Sequence, residues 1–411
     1  MSKARRRSFY EFFAGGGMAR IGLGDGWTCA LANDFDKMKC RAYRDNFGDD
    51  HLIERDVSQL SAADLPGRAD MAWASFPCQD LSLAGARRGM DAGSSGGRSA
   101  VFWAFWFLME RLVDEGRAPR VLAIENVVGL ATSNKGRDFN ALCTALAQGG
   151  WRWDAHVVDA AGFLPQSRPR LFIVAWRGAE APAAMRSDAP EPHPGLARAL
   201  ARLDPEAAAA RRPLHLAPPP GTNQRLGDVL DETPVGVRWK TPTEIKRLLS
   251  LMTPRQRAKI DAACDEAKTR GQRRAGGLYR RTRKDKDGNS VQRAEVRFDV
   301  AGCLRTPSGG SSRLTLMIAE ADGSLHARLL SAREAARLMG LPEDYRLPSS
   351  YTAAYKLAGD GVAAPVAGFI ARQLVEPLLD AIDAADPAAD PAPESAADSA
   401  ADRAAPHRAR R

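Results

Sequence analysis

Residues 8–23 read Ser8-Phe9-Tyr10-Glu11-Phe12-Phe13-Ala14-Gly15-Gly16-Gly17-Met18-Ala19-Arg20-Ile21-Gly22-Leu23. The run Ser8–Phe13 has the length and apolar content of a strand. Three glycines then let the chain turn, and a helical pattern starts at Met18. Glycine in such a turn allows the backbone to approach a ligand closely, although a plain strand-to-helix turn uses the same residues. The pattern then repeats. Strands are expected at Trp27–Ala32, Ala69–Phe76, Val121–Ile124, Trp151–Val158 and Leu171–Trp176, with helices at Asp36–Phe47, Val101–Val113 and Phe139–Leu146. Strands alternating with helices imply a doubly wound α/β sheet, which collects ligands at the carboxyl ends of its strands.

The polar residues near those ends carry the chemistry. Asp34 follows the second expected strand and is placed to accept ribose hydroxyls, or to cap the helix that starts near Asp36. Phe35 beside it can stack on an adenine or simply pack. Asp56, in Arg55-Asp56-Val57, can accept from an adenine amino group or be a plain surface acid. Phe76-Pro77-Cys78-Gln79 breaks off the strand that ends near Phe76, which is the position of an exposed nucleophile; most free cysteines are inert core residues. Glu125-Asn126-Val127 closes the next strand with a carboxylate. Gln166-Ser167-Arg168-Pro169-Arg170 opens the last strand, and alternation puts both arginines on one face. A salt bridge for Glu125 and surface positions for the arginines are the alternatives, but a single active site accounts for all of these residues together.

In this order and spacing, the motifs resemble the DNA cytosine-5 methyltransferases over residues 8–176 and 328–376. The resemblance implies a class I methyltransferase fold, a doubly wound, mostly parallel seven-stranded sheet with a smaller, irregular target-recognition domain. It implies S-adenosylmethionine as cofactor, held by Phe13, Gly15, Gly17, Asp34, Phe35, Asp56, Val57 and Pro77, and duplex DNA as partner. It implies Cys78 as nucleophile toward cytosine C6 and Glu125 as the acid at N3. The first arginine of the pair, Arg168, would reach the cytosine, while Arg170 would support the cysteine loop. Residues 79–98, rich in Gly, Ser and Arg, read by composition as a lid that closes over the substrate, with Gln79, Ser82, Arg87 and Arg88 toward the DNA, or as a disordered surface loop with no role. The glycine turn lacks Gly-x-Gly-x-x-Gly spacing, which counts against a nicotinamide cofactor.

Composition agrees with a nucleic-acid partner. The 411 residues carry a net charge of +9. Between Lys268 and Arg297 stand eleven Lys or Arg against three acids, interleaved with Tyr279 and glycines. Arg280, Arg281 and Arg283 are expected to meet phosphates, and Ser311 and Arg313, in the Gly/Ser loop 305–313, are expected near base edges. The six cysteines form no Cys-x-x-Cys pair, so no metal site is read and reduced thiols are expected.

The expected organisation is 1–177 for the catalytic part, 178–327 for a linker and the recognition domain, 328–383 for a return to the catalytic part, and 384–411 for a disordered tail. Ser331 and Glu334 form a helix start. The family often has Asn-Ser where this chain has Asp360-Gly361. Val101–Met109, the longest apolar stretch, is too short for a membrane span, so a soluble, cytoplasmic, nucleoid-associated monomer is expected, with a cognate restriction endonuclease as a further partner. An RNA cytosine-5 methyltransferase and a DNA-binding repressor with a degenerate pocket are the competing readings. The long insertion speaks against the first and the intact motif residues against the second.

Overall fold

The computed structural model describes residues 6–77, 100–189, 191–284, 288–304 and 313–386, without the side chains of Ala100, Arg281 and Arg283. Seven strands form the main sheet: β1 (Arg7–Phe12), β2 (Trp27–Asp34), β3 (Leu52–Glu54), β4 (Met71–Ala74), β5 (Val121–Val127), β6 (Arg152–Asp159) and, after the two-residue β7 (Gln166–Ser167), β8 (Pro169–Trp176). Their order is β3-β2-β1-β4-β5-β8-β6. Only β8 runs against its neighbours; the other pairings are parallel.

Alternate residues of these strands enter two different cores. Phe9, Met71, Trp73, Val121, Ala123, Phe172 and Val174 lie in one; Tyr10, Ala72, Ala74, Leu122, Ile124, Leu171 and Ile173 lie in the other. This is the two-residue period of a strand buried on both faces. Burying each large apolar side chain contributes about 1.5–3 kcal/mol. Helices α1 (Met18–Leu23) and α2 (Lys37–Phe47) cover the first face, and α3 (Ala100–Asp114) and α4 (Arg137–Gln148) the second. The cap of α2 is Asp36, whose carboxylate accepts from the Met38 and Lys39 amides.

Residues 178–220 are not a loose linker. Leu196 and Ala199 of α5 (Pro194–Leu200) and Ala207 of α6 (Pro205–Ala210) are buried in the second core, and Arg211 donates to the buried Asp154 at 2.8 Å. Alanine-rich segments carry too weak an apolar period to announce such packing.

The described residues between 271 and 329 are also more regular than expected. After α7 (Pro242–Ser250) and α8 (Pro254–Arg270) come β9 (Arg274–Lys284), β10 (Ser290–Phe298), the short β11 (Ala301–Gly302), β12 (Thr315–Ala319) and β13 (Leu325–Leu329). Four of these make an antiparallel sheet in the order β10-β9-β12-β13. Met252, Ile260, Leu278, Val296 and Met317 form its core with α8. β12 pairs with β9 only over Arg274–Leu278, whereas β10 pairs with it as far as Lys284. The far half of β9–β10 is therefore a two-stranded ribbon. Its polar residues and the Gly276-Gly277 pair hide it from a periodicity reading.

The chain then returns through α9 (Ala332–Arg337), α10 (Tyr351–Asp360), α11 (Ala364–Ile370) and α12 (Glu376–Ala385), with a π-helical turn at Ala371–Val375. Ser331 and Glu334 make the expected capping box. α11 crosses α1 at glycine: a Cβ on Gly22 would stand 2.1 Å from the Ala364 carbonyl oxygen, and one on Gly368 would stand 2.2 Å from that of Gly22. The run Tyr351–Ala385 is, unlike Val101–Met109, long and apolar enough to cross a membrane, but 72% of its apolar window is buried, as in a core helix.

Candidate active site

The polarity of β8 brings the motifs together. Because β8 is antiparallel to β5, its first residues lie at the same sheet edge as the last residues of β5, with Arg170 opposite Val127 and Phe172 opposite Glu125. Arg170 and Glu125 thus share a face, and Arg170 Nε lies 3.1 Å from Glu125 Oε1. Glu125 is buried and lies inside the strand, which continues to Val127.

Asn126, a residue the sequence reading gave no role, points to the neighbouring strand. Its Nδ2 donates to the Phe76 carbonyl oxygen at 3.0 Å, and its Oδ1 accepts from the Val127 amide at 2.9 Å. The peptide entering Pro77 is thereby tied to the strand that carries Glu125. A buried carboxamide between a carboxylate and a valine was the signal for it. Cys78, Gln79, Ser82, Arg87, Arg88 and Ser311 lie outside the described residues.

Arg168 is placed otherwise than the resemblance implied. It is 2% exposed, and its Nη2 donates to the carbonyl oxygens of Gly359 at 2.9 Å and Gly361 at 2.6 Å. The backbone breaks between β7 and β8, where the Asp159 carboxylate accepts from the Arg168 amide, so Arg168 does not follow the alternation of β8. Arg168 clamps the C-terminal return, and Arg170 faces the carboxylate. Burial, then the charge of Arg170, lowers the pKa of Arg168.

The glycine turn lies at the same edge. Phe13, Gly15 and Gly17 have φ of 57°, 57° and 73°. A Cβ on Gly15 would meet only Lys39 Cδ, at 4.0 Å, so the backbone is open there, whereas Cβ atoms on Gly16 and Gly17 would run into Tyr345 and Phe47. Asp34 binds the turn, accepting from the Gly15 amide at 2.9 Å and the Asp36 amide at 2.8 Å. Phe35 is 63% exposed, unusual for a phenylalanine unless something covers it. Asp56 accepts from the Ser58 amide at 2.9 Å and hydroxyl at 2.6 Å, capping a short helical turn that starts at the buried Val57. Pro77 is exposed. Tyr345 supports the turn from behind, its hydroxyl donating to the Gly16 carbonyl oxygen at 2.8 Å. An exposed ring, a nearby carboxylate and an open glycine backbone fit a nucleoside ligand such as S-adenosylmethionine.

Of the expected DNA contacts, Arg280 is exposed on the β9–β10 ribbon. The side chains of Arg281 and Arg283 are outside the described residues. Arg313 turns inward, donating to Thr352 Oγ1 at 2.6 Å and lying 4.9 Å from the centroid of Tyr351.

A family model, C-5 cytosine-specific DNA methylase, matches residues 7–376. The chain belongs to this family. It is a DNA (cytosine-5-)-methyltransferase with S-adenosylmethionine as methyl donor. It is 26% identical to the type II methyltransferase M.BsuFI of Bacillus subtilis over 90% of this chain and 73% of that protein. It is 26% identical to the type II methyltransferase M.NlaX of Neisseria lactamica over 89% of this chain and 95% of that protein. In fold, the methyltransferase is similar to the crystal structure of the S. pombe Dnmt2 methyltransferase, with a TM-score of 0.56 and 16% identity over 91% of this chain and 99% of that one.

Proposed function

We propose that the methyltransferase acts on a flipped-out cytosine in a specific duplex sequence through a covalent bond between Cys78 and C6. The observation that carries this reading is the Glu125–Arg170 pair beside the peptide that leads into Cys78. S-adenosylmethionine, when bound, supplies an electrophilic methyl group. The Cys78 thiolate adds to C6, which makes C5 nucleophilic. Glu125 holds a proton at N3 as negative charge develops there, and Arg170 orients that carboxyl. After C5 is methylated, the C5 proton leaves and the thiolate is expelled, which restores the aromatic ring.

Asp34 would accept the ribose hydroxyls, Phe35 would cover the adenine, and Asp56 would accept its amino group beside Val57. Phe13, Gly15, Gly17 and Pro77 would shape the pocket. Flipping the base costs a few kcal/mol of stacking, which contacts from Gln79, Ser82, Arg87 and Arg88 would offset. Arg280, Arg281 and Arg283 would contact phosphates, with Ser311 nearer the bases. The inward turn of Arg313 fits a support of the loop root better than a base contact. A cytoplasmic, monomeric enzyme with a cognate endonuclease completes the reading.

The test is covalent trapping. Fluorine at C5 does not leave as a proton, so fluorocytosine-substituted genomic DNA should capture the enzyme in a denaturation-resistant, methylated complex. Cys78→Ser should abolish the complex and retain DNA binding. A complex that still forms with Cys78→Ser, or that maps to another cysteine, would refute the mechanism.

A further inference from the structure

One contact joins the recognition region to the active-site edge. β11 pairs in parallel with β7, Ala301 opposite Gln166 and Gly302 opposite Ser167, and the Ala301 amide donates to the Pro165 carbonyl oxygen at 2.8 Å. The next residue, Cys303, is half-buried and lies against both arginines. Its sulfur is 3.0 Å from Arg168 Nη1 and 3.8 Å from Arg170 Nη2. Arg170 then reaches Glu125 through Nε.

Two neighbouring guanidinium groups repel, more strongly where water is scarce. Arg168 is almost fully buried, and its Nε has no partner. An acceptor between the two groups therefore matters more than an isolated sulfur contact would. The sulfur's lone pairs face both cations and limit where the Arg170 fork can rest. Cys303 also stands at the root of the 305–312 segment, so a displacement of that root would be felt by Arg170.

We propose that Cys303 is a positioning residue: it fixes Arg170 against Glu125 and so links the root of the recognition loop to the carboxyl that acts on the base. This rests on the catalytic reading of Glu125. The thiol acts through Arg170 on the geometry of the acid.

The experiment is a double-mutant cycle on the full-length enzyme, read by single-turnover methyl transfer, with DNA and S-adenosylmethionine affinities measured separately. Cys303→Ala should slow transfer roughly three- to tenfold, the loss of one weak hydrogen bond to a charged group, and leave both affinities within about twofold. Cys303→Ser, which keeps an acceptor, should recover most of the rate. In a Glu125→Gln background, Cys303→Ala should cost nothing further, because the two residues act through one route. Cys303→Val carries the same expectations should the alanine variant fold poorly. An unchanged rate in Cys303→Ala, or its full cost repeated in Glu125→Gln, overturns the proposal. Full activity of Glu125→Gln alone overturns instead the reading of Glu125 beneath it.

Discussion

Arg170 Nε rests 3.1 Å from Glu125 Oε1, across the antiparallel pairing of β8 with β5. The neighbouring Arg168 turns away to bind the carbonyl oxygens of Gly359 and Gly361. Two arginines separated by one proline thus have separate partners, one the Glu125 carboxylate and the other the backbone of the C-terminal return.

Substitution should separate them. Arg170→Ala should lower the methyl-transfer rate by about ten- to a hundredfold, the effect of removing the charged partner of a buried carboxylate, while the protein stays folded. Arg168→Ala should instead destabilise the protein by about 3 kcal/mol, because it takes the Arg168 donor from the buried Gly359 carbonyl oxygen and the half-buried Gly361 one. Thermal melting beside single-turnover kinetics distinguishes them. An Arg168→Ala variant with an unchanged melting point would contradict the clamp.

The proposed cofactor residues predict selective losses. Asp34→Ala should weaken S-adenosylmethionine binding about tenfold or more, since hydrogen bonds to charged groups are worth about 1.5–3 kcal/mol. Part of that loss would come through the Gly15 amide, which Asp34 holds in place. Phe35→Ala should also weaken the cofactor, with DNA affinity unchanged in both variants. Calorimetry with unaltered cofactor affinity would remove these residues from the pocket.

Glu11 gives a pH dependence. This carboxyl is buried in β1, and desolvation raises its pKa to about 8, with Arg20 opposing the shift and Asp34 adding to it. The folded protein therefore holds this proton more tightly than the unfolded chain. The stabilisation is complete below the unfolded value of about 4.5 and is lost as pH rises through about 8, at a slope of up to about 1.4 kcal/mol per pH unit. Glu11→Gln does not titrate and should flatten the stability profile across that window. Urea unfolding at pH 5.5 and pH 8, with equal slopes in both proteins, would contradict it.

The β9–β10 ribbon should supply affinity without sequence preference. Changing Arg280, Arg281 and Arg283 to Ala should weaken binding to every duplex and reduce the salt slope by about one per lost phosphate contact. An unchanged slope would mean that the ribbon does not meet the backbone of DNA.

The strand-turn-helix at residues 8–23, the carboxylate following the apolar run Val121–Ile124 and the capping box at Ser331 were legible because each is local: alternation, glycine and capping act within a few residues. The regular elements in 178–220 and 274–298 were not, because their burial comes from partners far along the chain. Leu196 packs in the same core as α4, and Leu278 meets Met317 and Ile260. The polar ribbon has no apolar face to reveal it.

From its sequence alone, this protein's family, its cofactor and its candidate acid could be named, since these depend on residue types at set spacings beside strand ends. Only the tertiary structure decided which arginine meets Glu125. That choice turns on the reversed direction of β8 and on Asp159 pinning the Arg168 amide just before it. Both are contacts between strands, and spacing along one strand carries no information about its neighbour's direction.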